Sequence, residues 1–217
     1  DQAREISSDR LRGASDRKNS VHLNFNAMRE LTIGIDIGGT NTKYGIVDRA
    51  GQVIYQGSIK TTQFEEFRDY FKGLSLALRD AMSKITLEHK ILGVGVGAAN
   101  GNYYKGTIER ATNLPWKGII PLADMLKEEF QIPAIITNDA NAAAVGEMVY
   151  GSAKGMRDFI VITLGTGLGS GFVSNGQLLN GKHGIAGEVG HTSVNPAGRF
   201  CNCGKRGCLD TYVSATG

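Results

Sequence analysis

The chain has 217 residues, 41% hydrophobic and 21% charged, with a formal net charge of +3. That balance is ordinary for a globular protein and too weakly basic to argue for nucleic acid or membrane partners. No apolar run approaches the ~20 residues of a membrane span, and residues 1–30 are too polar for a secretory signal, so the expected setting is cytoplasmic.

Residues 1–27 are rich in Asp, Arg, Ser and Asn and show neither a helical nor a strand period. They read as a non-native or disordered N-terminal extension, with Met28 as the natural start. Residues 31–37 are a buried strand, Gly38-Gly39-Thr40-Asn41 a turn, and residues 43–48 a second strand. Ala50-Gly51 turns the chain into a third strand, 52–60. Phe64, Phe67, Phe71, Leu74, Leu78 and Met82 then recur at three and four, which predicts an amphipathic helix. A strand at 91–97 leads into a long Gly/Asn-rich loop, 98–118, long enough to be functional. A helix at 122–130, a strand at 134–137 and a helix capped at Asn138-Asp139 and running to about Tyr150 follow.

Residues 159–164 open a second set: strand, Gly165–Gly169 turn, strand at 170–174, Asn175-Gly176 hairpin, strand at 177–179. The order repeats that of residues 31–60, as an internal duplication would. Strands alternating with helices give an α/β fold with mixed sheets. We expect an N-terminal lobe over 28–137 and the start of a C-terminal lobe over 138–217, with that second lobe incomplete.

The glycine turns are the first chemical feature. A Gly-rich turn presents consecutive backbone N–H groups and can cradle an anion. Asp36, at the end of the first strand, can hold Mg²⁺ beside such a cradle, and Lys43 adds a point charge. Gly165-Thr166-Gly167 repeats the arrangement. Each turn alone is equally well an ordinary hairpin; the pair argues for phosphate. The glycines of Gly93-Val-Gly95-Val-Gly97-Ala98 fit a dinucleotide fingerprint, but they lie inside a strand and no helix follows, so that motif is set aside. No P-loop is present, because Gly181-Lys182 and Gly204-Lys205 are followed by His183 and Arg206.

Asp139 is the candidate general base. It follows a buried strand and opens a helix, where backbone geometry aims it into a cleft and the helix N-terminus favours negative charge. The plain alternative is a helix cap. Beside it, Asn138 offers hydrogen bonds to hydroxyls. Finally, Cys201, Cys203 and Cys208 are the only cysteines, an odd clustered set unsuited to a disulfide framework. With His191 they make a closed Cys3His tetrahedral set, which suits structural Zn²⁺ and would pin the loop that carries Glu188.

On these motifs the chain resembles the ROK family (repressor, open reading frame, kinase). Residues 36–43 resemble its first phosphate motif and 164–171 its second. Asn138-Asp139-Ala140-Asn141 resembles the catalytic segment, Glu188-Val-Gly-His191 the sugar and zinc signature, and Cys201-x-Cys203-Gly-x-x-Gly-Cys208-Leu-Asp210 the zinc motif. The resemblance implies an actin-like, ribonuclease H-like, two-lobed ATPase fold. It implies an ATP-dependent hexose kinase of glucokinase type, with Asp139 deprotonating the sugar 6-hydroxyl. Asp36, Gly38, Gly39, Thr40, Asn41, Lys43, Gly165, Thr166 and Gly167 would bind the nucleotide. Asn102, Asn113, Asn138, Asp139, Glu188, His191 and Asp210 would bind the sugar.

The family motif usually ends in Glu where this chain has Asp210, one methylene shorter. The family's adenosine-binding segments would lie beyond residue 217, so a fragment of this length is expected to bind ATP poorly. Three functions compete: a kinase for glucose, N-acetylmannosamine or fructose; a sugar-responsive transcription regulator; and a sugar-binding module without catalysis. A regulator needs a helix-turn-helix, for which residues 1–27 are too short and aperiodic. Assembly as a homodimer is left open.

Overall fold

A computed structural model describes residues 28–215, so the expectation for residues 1–27 lies outside the described residues. The first strands follow the alternation of their sequence. In β1 (Arg29–Ile37), Leu31, Ile33, Ile35 and Ile37 point into the core and are at most 3% exposed. β2 (Asn41–Asp48) and β3 (Val53–Lys60) return antiparallel, Asp36 pairing with Lys43 across the first hairpin. β4 (His89–Ala98) and β8 (Ala134–Thr137) join in parallel, giving a five-stranded mixed sheet of order β3-β2-β1-β4-β8.

α1 (Phe67–Ser83) covers this sheet with Tyr70, Leu74, Leu78 and Ala81, all wholly buried. Each large side chain among them contributes roughly 1.5–3 kcal/mol of transfer free energy. The helix starts later than the apolar spacing predicts. Phe64 lies outside it in extended backbone, and its ring meets Tyr70 edge-on at 5.8 Å. The buried stripe is therefore set by Tyr70 rather than Phe71. The Tyr70 hydroxyl is satisfied by Thr42 Oγ1 at 2.8 Å, which in turn meets Thr61 Oγ1 at 3.0 Å.

The predicted 98–118 loop supplies two strands of a small three-stranded sheet, β5 (Gly101–Asn102) and β6 (Thr107–Glu109), and the third, β7 (Ile119–Ile120), follows directly after it. Strands of two and three residues have no period to read. Trp116, 5% exposed, anchors the segment by packing on Phe67 and Tyr70. α2 (Leu122–Phe130) and α3 (Asp139–Val149) occur where expected.

The second set is β9 (Phe159–Leu164), β10 (Leu168–Ser174) and β11 (Gln177–Leu178), an antiparallel sheet of order β11-β10-β9. It repeats the path of β1-β2-β3. On β9, Ile160, Ile162 and Leu164 face outward and are 49–65% exposed. A 3-10 turn (Val189–His191) and the short α4 (Asp210–Val213) complete the described chain. No helix among the described residues is long and apolar enough to cross a membrane.

Candidate functional site

The site is built on α3. β1, β4 and β8 run in parallel, so the ends of β1 and β8 reach the same edge of the sheet. Asp36 is level with Gly97, and Gly97 with Thr137. Gly97 lets the start of α3 approach: a Cβ there would stand 3.1 Å from the Ala142 methyl and 3.5 Å from Asp139 Cα. On its other side, α3 lays Ala140 and Ala144 against Gly169 and Gly171 of β10, where a Cβ would collide with both alanines. One helix thus touches both sheets, and its first residue stands beside Gly97, the partner of Asp36 on β1.

That first residue is Asp139. Asn138 is the cap, its Oδ1 accepting from the Ala140 and Asn141 N–H groups at 2.9 and 3.4 Å. Asn138 therefore retains only its amide N–H groups for a ligand. Asp139 Oδ1 accepts from Ala140 N–H at 2.9 Å, and the side chain remains exposed.

Two further carboxylates feel the Asp139 charge. Asp36 is held above the usual carboxylate range by desolvation and then by Asp139, against the lowering pull of Lys43. Glu188 is raised by desolvation and by Asp139, while His191 pulls it down. Asp139 thus has a carboxylate neighbour in each of these two segments, an arrangement suited to a cation and to removing a hydroxyl proton.

The first glycine turn closes with Gly38 N–H donating to Asn41 O at 3.1 Å, and Thr61 N–H donates to Thr40 O at 2.9 Å. Gly39 packs on the backbone carbonyl of Asn113, which brings the loop tip to this turn. Asn102 is used differently from a free sugar ligand. It is 5% exposed, its Oδ1 accepts from Tyr104 and Lys105 N–H groups, and its amide donates to His183 O at 3.3 Å. In the second turn, Gly165 N–H donates to Gly167 O at 3.0 Å. Asp210 lies against this turn, its Oδ1 accepting from Leu168 N–H at 2.5 Å.

His191, Cys201, Cys203 and Cys208 come together, their ligand atoms all within 4.8 Å of one another. Cys203 Sγ and Cys208 Sγ are 3.6 Å apart, as are Cys201 Sγ and His191 Nδ1. A tetrahedral zinc with bonds of about 2.3 Å holds its sulfurs about 3.8 Å apart, so the donor set fits that ion, and 3.6 Å is far too long for a disulfide. The loop is cross-braced by Lys205 Nζ on His191 O at 2.8 Å. Gly207, at φ +68°, packs against Asn195 where any side chain would collide.

Sequence reasoning passed over Gly97 as part of a discarded fingerprint, and over Ser170. Ser170 is 5% exposed; its Oγ donates to Gly187 O and accepts from Val189 N–H at 3.4 Å, which fixes the backbone on both sides of Glu188. Its position inside the second motif was the available signal. Two hollows are notable. One, of about 420 Å³, lies on the outer face of α1 with Arg68, Lys72 and Arg79 and holds none of the predicted residues. The other, of about 320 Å³, is lined by Phe172, Leu179 and Glu188.

The ROK family model matches residues 32–217. The chain is 41% identical over 192 residues to a glucokinase of Halalkalibacterium halodurans, covering 85% of this chain and 57% of the relative. It is 34% identical over 185 residues to a xylose repressor of Caldicellulosiruptor bescii, covering 84% and 46%. A ROK family glucokinase from Streptomyces griseus, solved with glucose and AMPPNP, superposes with a TM-score of 0.71 at 37% identity, covering 85% of this chain and 57% of that one. The fold is thus the actin-like, two-lobed α/β fold, and the chain spans a little over half the length of the glucokinases it matches.

Proposed function

The chain belongs to the ROK family, and on that premise we propose that its protein transfers the γ-phosphoryl group of ATP to the 6-hydroxyl of a hexose, glucose first, with Asp139 as general base. The observation behind this reading is Asp139 at the start of α3, backed by Gly97, which is level with Asp36 on β1, and with its charge felt by both Asp36 and Glu188. The relatives named as glucokinases support it.

In this reading the two turns grip the nucleotide phosphates through backbone N–H groups. Asp36 would hold Mg²⁺, which when bound neutralises charge developing on the phosphates. Asp139 accepts the hydroxyl proton as the sugar oxygen attacks, a role worth typically 10²–10⁴-fold in rate. Glu188, steadied by Ser170, orients sugar hydroxyls, and the Asn138 amide donates to them. Asn102 and Asn113 shape the loop over the sugar rather than both touching it. The His191–Cys208 cluster would hold Zn²⁺ structurally, since all four positions of the tetrahedron are filled by protein. A boundary between lobes at 137/138 belongs to the same proposal, and α3 is the element that joins them.

The test is sugar-dependent ADP release by the full-length protein across glucose, N-acetylmannosamine and fructose. Glucose should give the highest kcat/KM, and Asp139→Asn should lower kcat by 10²-fold or more. An unchanged rate in that variant removes the base assignment. The likeness to a xylose repressor keeps a regulator as the second reading; a gel shift on promoter DNA without kinase turnover would select it.

A further inference from the structure

The loop of the Cys3His cluster does not end at the metal ligands. Two residues past Cys208, Asp210 opens α4, and its Oδ1 takes the Leu168 N–H at 2.5 Å across 42 residues of chain. Leu168 is the residue that follows Gly165-Thr166-Gly167. Two residues past the end of the same short helix, Ala215 N–H donates to Gly165 O at 2.9 Å. The second glycine turn is therefore held at both ends, at Gly165 and at Leu168, by one segment. The approach is close enough that a Cβ on Gly167 would lie 3.1 Å from Asp210 Oδ1. A third tie comes from the metal side: Gly190, next to His191, packs directly on the Leu168 carbonyl.

We propose that Asp210 is a positioning residue for the nucleotide rather than a sugar ligand: it transmits the order of the metal loop to the Gly165–Gly167 turn through the Leu168 N–H. This rests on the kinase reading above for its nucleotide and on the structure alone for the tie. The side-chain length fits the role. Aspartate is short enough to meet a backbone N–H of the turn while its own backbone starts α4. A charged acceptor on an amide makes one of the stronger hydrogen bonds available to a side chain. A turn whose amides must all face one anion gains affinity from being held in that shape beforehand.

The experiment uses the full-length protein with Asp210→Ala and Asp210→Asn. Binding of β,γ-imido-ATP and of D-glucose is measured separately by calorimetry, and exchange of the Leu168 amide is followed by hydrogen–deuterium exchange. Asp210→Ala should weaken the nucleotide analogue about tenfold, leave glucose within twofold, and speed Leu168 exchange, with metal content unchanged. Asp210→Asn, which keeps an acceptor oxygen in place, should restore most of the nucleotide affinity. Chelating the metal from the unaltered protein should speed Leu168 exchange as well. The proposal is overturned if Asp210→Ala weakens glucose and spares the nucleotide analogue, if it tightens the nucleotide analogue, or if Leu168 exchange ignores both the substitution and the chelator. If the unaltered protein binds no nucleotide at all, the kinase reading fails, and the Leu168 exchange still decides whether the tie exists.

Discussion

Gly97 and Asp139 are in contact through bare backbone: a methyl group on Gly97 would stand 3.5 Å from Asp139 Cα and 3.1 Å from the Ala142 methyl. The absence of a side chain on the central parallel strand therefore sets the depth at which the candidate base sits. Gly97→Ala should push the first turn of α3 outward by a few tenths of an ångström. Misplacement of a reacting group costs rate steeply, so kcat for phosphoryl transfer should fall about tenfold while metal content stays constant. An unaltered kcat would show that this contact does not position Asp139.

Asp139 raises the pKa of both Asp36 and Glu188, in each case after the larger effect of desolvation. Asp139→Asn removes one negative charge from between them. Both groups should then titrate at lower pH than in the unaltered protein, read by carboxyl-carbon NMR. A shift in only one would place Asp139 beside that group alone.

The raised pKa of Asp36 has a consequence for stability. A carboxylate whose folded value lies above its unfolded value of about 3.9 is disfavoured when ionised. The folded state is thus at its best below that value and loses stability as pH climbs through the raised one. Asp36→Asn should melt higher than the unaltered protein at pH 7, by a few degrees at most because the group is partly solvated, and the gap should close at pH 4. Activity would be lost in the same variant, a familiar trade at charge-dense sites.

Of the four candidate zinc ligands, Cys203 is the exposed one. Cys203→Ser should lose about one zinc per chain by elemental analysis and lower the melting temperature by several degrees, as should chelation of the unaltered protein. Retention of both metal and stability would exclude the four-ligand site.

Behind the first glycine turn, Thr42, Thr61 and Tyr70 share a buried chain of hydroxyls. Tyr70→Phe keeps the ring packing and removes one link. The expected cost is about 1 kcal/mol in chemical denaturation.

Much of this was legible in the residues because the elements that matter have strong local signatures. The alternation of β1, the duplicated hairpins and the Asn138-Asp139 cap all rest on spacing within a few positions, and so does the cluster of cysteines. What was not legible depends on partners far apart in sequence. The three-strand sheet of 101–120 has strands too short to show a period, and Trp116 holds it by packing on α1. Asn102 reads as a polar loop residue, yet its oxygen is spent on its own turn and its amide on His183. Gly97 is one of a row of alternating glycines, and only the approach of α3 distinguishes it. Asp210 follows the cysteines at a motif position, but its contact with Leu168 is 42 residues away.

The alanines of α3 lie on Gly169 and Gly171, and its Ala142 faces Gly97. Smooth surfaces of this kind present no interlocking ridges, so the helix resembles an axle in plain bearings. A methyl group added to any of these three glycines would wedge the helix off the sheet it rests on, so the fit leaves no room for growth on either face.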